Sequence, residues 1–282
     1  MNYRHAYHVG NIGDVLKHAV LARLIVYLQR KDKPFRILDT HAGIGRYDLT
    51  SEETQKTGEW REGIAKVLAG RPPKDVADLL SPWLETIRSL NPDGNLVAYP
   101  GSPALSRSLL RKIDRLTLTE LHPADFETLS TLFAGDHQVK TIHLDGWMAM
   151  GSFLPPKEKR GLVLIDPAFE VTDEFDRMTK AVITGHRIWA SGTFALWYPL
   201  KDRKAVSRMH KAFEDAGIKD VLAMELNVGQ SSPDTPMRGS GMTILKPPFV
   251  LESELKTLLP WLCDTLKHGK GASWQVERII AE

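Results

Sequence analysis

Gly161-Leu-Val-Leu-Ile-Asp-Pro-Ala-Phe-Glu170 is the stretch that most restricts what this chain can fold into. Residues 161–165 are a glycine and four apolar side chains without polar alternation. That is the pattern of a strand buried on both faces, and such strands belong to parallel sheets covered by helices. The run stops at an acid followed by proline. In open parallel sheets ligands gather at the carboxyl ends of strands, so Asp166 stands where chemistry is expected. The carboxylate of Asp166, the carbonyl of Pro167 and the ring of Phe169 offer two acceptors and a stacking face, which suits the exocyclic amine of a nucleobase. The same letters also fit a strand that merely ends in an Asp-Pro turn.

Two further strand ends precede this one at regular distance. Leu116-Thr-Leu-Thr-Glu120 and Val139-Lys-Thr-Ile-His-Leu144 put acids at 120 and 145, so that the intervals up to 166 are 25 and 21 residues. Each interval holds one helix and one strand. Glu120 is spaced like the acid that binds ribose hydroxyls, and Asp145-Gly146 like a contact to an adenine edge. Phe35–Thr40 is another strand, followed by His41-Ala-Gly-Ile-Gly45, whose glycines let the backbone turn tightly beside a ligand. The third glycine of the dinucleotide fingerprint is missing and no helical period follows directly, which speaks against a nicotinamide enzyme.

Residues 48–98 read instead as polar helices broken by Gly58, Pro72-Pro73, Pro82 and Pro92-Asp-Gly94, with no alternating strand. The helix belonging to the first strand comes only after Tyr99-Pro-Gly-Ser-Pro103, where Ser102 reads as N-cap and Pro103 as the first helical residue. Residues 48–98 are therefore expected to be a helical insertion subdomain within a larger domain formed by 1–47 and 99–282. Downstream, Thr193–Tyr198, Val221–Val228 and Met242–Lys246 read as strands. Gly229 to Gly241, rich in Ser, Pro, Gly and Asp, reads as a loop or hairpin carrying Arg238. The total is seven strands.

At the N-terminus, residues 1–13 show no apolar period and are expected to be an arm, with Tyr3, His5, Tyr7 and His8 suited to stacking on splayed bases and touching phosphate. A helix with one apolar face follows from Asp14 to about Lys31, capped by Asp14 or Asn11, with Lys17 and His18 near its start. Residues 1–36 carry seven Lys/Arg against two acids, whereas residues 48–98 carry nine acids against six bases. A polyanion should meet the former and avoid the latter. The composition, 42% hydrophobic and 26% charged, is that of a globular chain, and no apolar run approaches a membrane span or a secretory signal. A cytoplasmic protein is expected. One cysteine, Cys263, rules out an intramolecular disulfide and a thiolate metal cluster, and no metal is expected.

With these strand ends in order, the chain resembles adenine-N6 methyltransferases, and most closely the 23S rRNA adenine-N6 methyltransferases of the RlmJ family. The resemblance runs over essentially the whole chain. It is carried by Tyr3-Arg-His5, His8-Val-Gly-Asn-Ile-Gly-Asp-Val-Leu-Lys-His18, Asp39-Thr-His-Ala-Gly-Ile-Gly-Arg-Tyr47, Tyr99-Pro-Gly-Ser-Pro103, Thr119-Glu-Leu-His-Pro123, Ala195-Leu-Trp-Tyr-Pro199 and Leu259-Pro-Trp-Leu262. It implies an α/β, seven-stranded Rossmann-like S-adenosylmethionine-dependent methyltransferase fold with a small helical insertion. It also implies methyl transfer to N6 of an adenine in 23S rRNA before the subunit is fully assembled, by a monomer. Cofactor contacts carry over onto His18, His41, Ser102, Glu120, Asp145, Gly146 and Asp166, with Lys17 as a weaker neighbour. Catalysis falls to Asp166, Pro167 and Phe169, and rRNA contact to Tyr3 and His5. The family's second catalytic proline is Ala168 here, which loosens the turn but keeps both acceptors. A DNA adenine-N6 methyltransferase and a non-catalytic nucleic-acid-binding protein are the alternatives.

Overall fold

The structure is a computed structural model that describes residues 5–229 and 238–282. After a 3-10 turn at His5–Tyr7, Asn11 caps the helix α1 (Ile12–Gln29), its side chain accepting from the amides of Gly13 and Asp14. The expectation of one apolar face fails here. α1 is buried on nearly every side because it lies between the sheet and other helices, so even Lys17, His18 and Arg23 are interior. Arg23 is tolerated there because a two-pronged pair with Glu254, at 2.8 and 3.0 Å, satisfies its charge.

Strand β1 (Arg36–Asp39) is followed by β2 (Arg46–Asp48), then the helices α2 (Glu52–Thr57), α3 (Glu59–Glu62), α4 (Ile64–Ala69) and α5 (Lys74–Leu90), then β3 (Ala98–Pro100). β2 and β3 pair antiparallel, Tyr47 opposite Tyr99, so the helical segment leaves and re-enters through a short two-stranded ribbon that the sequence reading lacked. Its apolar residues Ile64, Val76, Leu80 and Trp83 belong to the same core as α1.

The first strand's helix, α6 (Ser102–Leu109), is capped by Gly101 rather than by Ser102. Ser102 occupies the first helical position with Pro103 second. Its hydroxyl donates to Asp39 at 2.6 Å. Then come β4 (Arg115–Glu120), α7 (Pro123–Leu132), β5 (Val139–His143), α8 (Gly146–Phe153), β6 (Gly161–Ile165), α9 (Glu174–Ile188), β7 (Thr193–Pro199), α10 (Arg203–Asp215), β8 (Val221–Asn227), β9 (Gly239–Leu245), α11 (Leu251–Leu266) and β10 (Ser273–Ile280).

The main sheet has eight strands, not seven, in the order β10-β8-β9-β7-β6-β1-β4-β5. The extra strand, β10, pairs antiparallel with β8 at the sheet's edge. Sequence reading missed it because an edge strand with exposed Ser273, Trp274 and Gln275 has no clean alternation. β9 starts at Gly239, within the stretch read as loop, where the Val228 amide already donates to the Arg238 carbonyl at 2.8 Å. The remainder of that stretch, 230–237, lies outside the described residues. β1 lies between β4 and β6, all three parallel, so its carboxyl end opens onto a crevice where the chain departs to both sides.

Candidate functional site

The ends of β1, β4, β5 and β6 converge on that crevice, a cleft of about 310 Å³. All eight residues expected at the cofactor line it, together with Pro167 and Ala168. Glu120, ending β4, is held by two backbone amides: Gly43 donates to one oxygen and His122 to the other, each at 2.8 Å. Asp145 caps α8 through the Trp147 amide at 2.9 Å. Gly146 can be only glycine, since a Cβ there would stand 2.2 Å from the carbonyl oxygen of Thr40. This lets the start of α8 lie directly against the end of β1, with His41 and Trp147 edge to face at 4.8 Å.

A second cavity, of about 120 Å³, adjoins the first. His5, Lys17, Asp166 and Ala168 line both, so Asp166 stands in the shared wall. Phe169 faces only the second cavity, among Trp197, Pro199, Asn11 and Glu59. Its φ of +52° is a left-handed conformation that a ring-bearing residue adopts at a cost. Contacts with Phe175 and Trp197, at 4.8 and 6.0 Å between ring centroids, hold it there.

Lys17 was expected as a peripheral cofactor contact. Its Nζ also bridges two carboxylates, 2.7 Å from Asp14 Oδ1 and 2.5 Å from Asp166 Oδ2. Burial works against its charge, but Asp14 and Asp166 outweigh that and hold the ammonium well above its ordinary pKa. Burial likewise opposes ionisation of Asp14, yet Lys17 and His5 keep its carboxyl well below the usual range. Two carboxylates against one ammonium leave this wall net negative. Burial pushes His18 down to about 3 and His41 to about 4, so both are neutral near pH 7. His18 Nδ1 lies 2.8 Å from the Tyr99 hydroxyl, and among the described residues its buried Nε2 has no partner. A neutral ring that accepts at Nδ1 carries its proton on Nε2.

The sequence and the fold match a known group of enzymes. The chain matches, over residues 32–280, the family described as RsmJ, ribosomal RNA large subunit methyltransferase D, RlmJ. It is 42% identical over its whole length to the ribosomal RNA large subunit methyltransferase J of Haemophilus influenzae, and 41% identical to that of Escherichia coli K12, covering each of them completely. The chain belongs to this family. A crystal structure of a Legionella pneumophila protein, 33% identical, superimposes with a TM-score of 0.86 over 96% of this chain and 98% of that one. The protein is thus an S-adenosylmethionine-dependent rRNA methyltransferase on a Rossmann-like sheet.

The structure also places several of the N-terminal bases. Of the bases in residues 1–36, Lys17 and Arg23 are buried in ion pairs and Arg36 pairs with Glu158. Arg30 lies about 20 Å along the helix axis from Lys17, at the end of α1 remote from the cleft. These four bases are therefore paired or distal, while Arg4 lies outside the described residues. Tyr3 lies outside the described residues. Sequence reasoning overlooked Asp39, Trp147, Trp197 and Glu59. Asp39 and Trp197 stood inside motifs already singled out, but nothing local marked Glu59.

Proposed function

We propose that the protein transfers a methyl group to N6 of an adenine in 23S rRNA, with Asp166 and the Pro167 carbonyl as acceptors of the two N6 hydrogens. The observation that carries this is the position of Asp166 in the wall between two adjoining cavities. One is suited to the cofactor and the other to a base.

The larger cleft fits S-adenosylmethionine by the chemistry of its donor set. Glu120, braced by two amides, has lone pairs left for ribose hydroxyls. Trp147 and His41 present ring faces and Asp145 an acceptor for the adenine. Ser102 gives its proton to Asp39, so it offers an acceptor to the methionine ammonium. The methionine carboxylate falls to the unpartnered Nε2–H of His18. The net-negative wall around Lys17 favours a cation. When bound, the cofactor supplies an electrophilic methyl carried on a positively charged sulfur.

The residues of the chain do the rest. Lys17 occupies Asp166 Oδ2 and fixes the carboxylate's rotation, leaving Oδ1 without a donor among the described residues. Oδ1 and the Pro167 carbonyl then accept from N6, drawing its lone pair out of conjugation with the ring. Asp166 Oδ1 receives the proton that N6 sheds. Phe169 and Trp197 provide faces on which the base stacks after leaving its own helix. Transfer depends on holding the reacting atoms about 3–3.5 Å apart, so no strong base is needed.

A base is most easily extracted before rRNA is packed into a finished subunit, so the substrate is unassembled 23S rRNA, in the cytoplasm, acted on by a monomer. Labelled cofactor with equal amounts of protein-free 23S rRNA, mature large subunits and duplex DNA tests this. N6-methyladenine should appear mainly in the protein-free rRNA. Preferential labelling of DNA would assign the enzyme to DNA, and cofactor binding without any transfer would make it a binding protein. Asp166→Ala should fold and lose transfer by about a hundredfold or more.

A further inference from the structure

One buried carboxylate of the helical insertion reaches the acceptor cavity. Glu59, the first residue of α3, is 5% exposed and lines the smaller cavity. One of its oxygens lies 3.0 Å from His8 Nδ1, and the other accepts from the side-chain amide of Asn11 at 2.9 Å. Among the described residues Glu59 pairs with no lysine or arginine, an expensive way to bury a charge if its only task were to hold the fold.

What Glu59 holds is the start of α1. The other end of the Asn11 amide accepts from Gly13 and Asp14, so the residue is fixed by the helix at Oδ1 and by the insertion at Nδ2. Between His8 and Asn11 the chain turns at Gly10, with φ +67°. Its amide donates to Asp14 Oδ2 at 2.7 Å, and its carbonyl accepts from the Ile64 amide at 2.9 Å. A Cβ at Gly63 would lie 2.1 Å from that carbonyl, so arm and insertion touch backbone to backbone. Asp14 in turn carries His5 at 3.1 Å and Lys17 at 2.7 Å, and Lys17 carries Asp166.

We infer that the insertion is a scaffold for the acceptor side of the site, with Glu59 as a positioning residue. Through His8 and Asn11 it sets the register of the arm, and through Asp14 and Lys17 the orientation of Asp166. This rests on the reading of the smaller cavity as the base pocket. It explains how a helical segment on the far side of a ribbon bears on the chemistry without supplying a reacting group.

Three variants test the inference: Glu59→Ala, Glu59→Gln, and Val76→Ala in the core of α5, away from the arm. The readouts are calorimetry with S-adenosylmethionine, kcat and KM for methylation of protein-free 23S rRNA, and Tm. Glu59→Ala should lose on the order of 10–100-fold in kcat, as for a reacting group misplaced by about an ångström, with cofactor affinity unchanged. Glu59→Gln, which can still accept from Asn11 and donate to His8, should recover most of the loss. Val76→Ala should lower Tm without the loss in kcat. A native kcat in Glu59→Ala, the same kcat loss in Val76→Ala, or a fall in cofactor affinity that accounts for the loss would each overturn the inference. If the native protein methylates no RNA, the functional reading falls, and this inference with it.

Discussion

Lys17 on α1 and Asp166 at the end of β6 are 149 residues apart in sequence and meet at 2.5 Å between Nζ and Oδ2. The pair ties the arm's helix to the end of β6. It also occupies one oxygen of the Asp166 carboxylate.

Removing the ammonium should therefore do more than delete a contact. In Lys17→Met the carboxylates of Asp14 and Asp166 face each other with little water between them. Breaking a buried pair in this way costs about 3–5 kcal/mol. In the native protein the depressed pKa of Asp14 gives stability that is present above the unfolded carboxylate value and lost only as pH falls through its folded pKa. The raised pKa of Lys17 gives stability present below its unfolded value and lost only above it. Between these limits Asp14 and Lys17 stay charged. The variant should melt lower than the native protein at pH 8 and recover part of the difference at pH 5, where one carboxylate takes up a proton. Melting curves at the two pH values check this, and an equal deficit at both would refute it.

Glu120 should matter for the cofactor alone. Glu120→Ala should weaken S-adenosylmethionine binding by roughly 1.5–3 kcal/mol, the worth of hydrogen bonds to a charged group. It also frees the Gly43 and His122 amides. Calorimetric titration reads the change directly, and native affinity would remove Glu120 from the site.

Asp39 offers a pH test with the opposite sign from Asp14. Burial raises its pKa to about 7, partly offset by the Ser102 hydrogen bond. The folded protein then binds a proton that the unfolded chain releases at lower pH, so this group costs stability progressively as pH rises from about 4 to 7. Asp39→Asn keeps an acceptor for Ser102 without the charge. It should flatten the decline of stability across that window and raise stability at pH 8. Denaturant unfolding at pH 5 and 8 measures both, and an unchanged pH slope would show that Asp39 does not titrate there.

Phe169 should act on RNA and not on the cofactor, since it faces only the smaller cavity. Phe169→Leu should raise the KM for rRNA, with a loss of about 1–3 kcal/mol for one stacked base. Cofactor affinity should stay native. A variant that loses cofactor affinity while keeping its KM would move Phe169 to the other cavity.

The amino-acid sequence alone determined the order of strands from Phe35 to Asp166, the delayed helix after Gly101, the detour of residues 48–98 and the acids at the strand ends. These depend on patterns within a few residues of one another: a two-sided apolar run, an Asp-Pro stop, a glycine where the backbone must pass close. Glu120, Asp145 and Asp166 were legible because strand period and crossover length bring successive strand ends to one side of a sheet.

Only the tertiary structure decided which polar groups neutralise one another. Lys17 became the partner of Asp166, Ser102 gave its proton to Asp39, and Glu59 took hold of Asn11 from 48 residues away. The edge strand β10 and the burial of α1 on nearly every side belong to the same class. A charged side chain reads the same in sequence whether it is solvated or buried. Which it is depends on what distant segments bring within a few ångströms, where low polarity strengthens every paired charge and penalises every unpaired one.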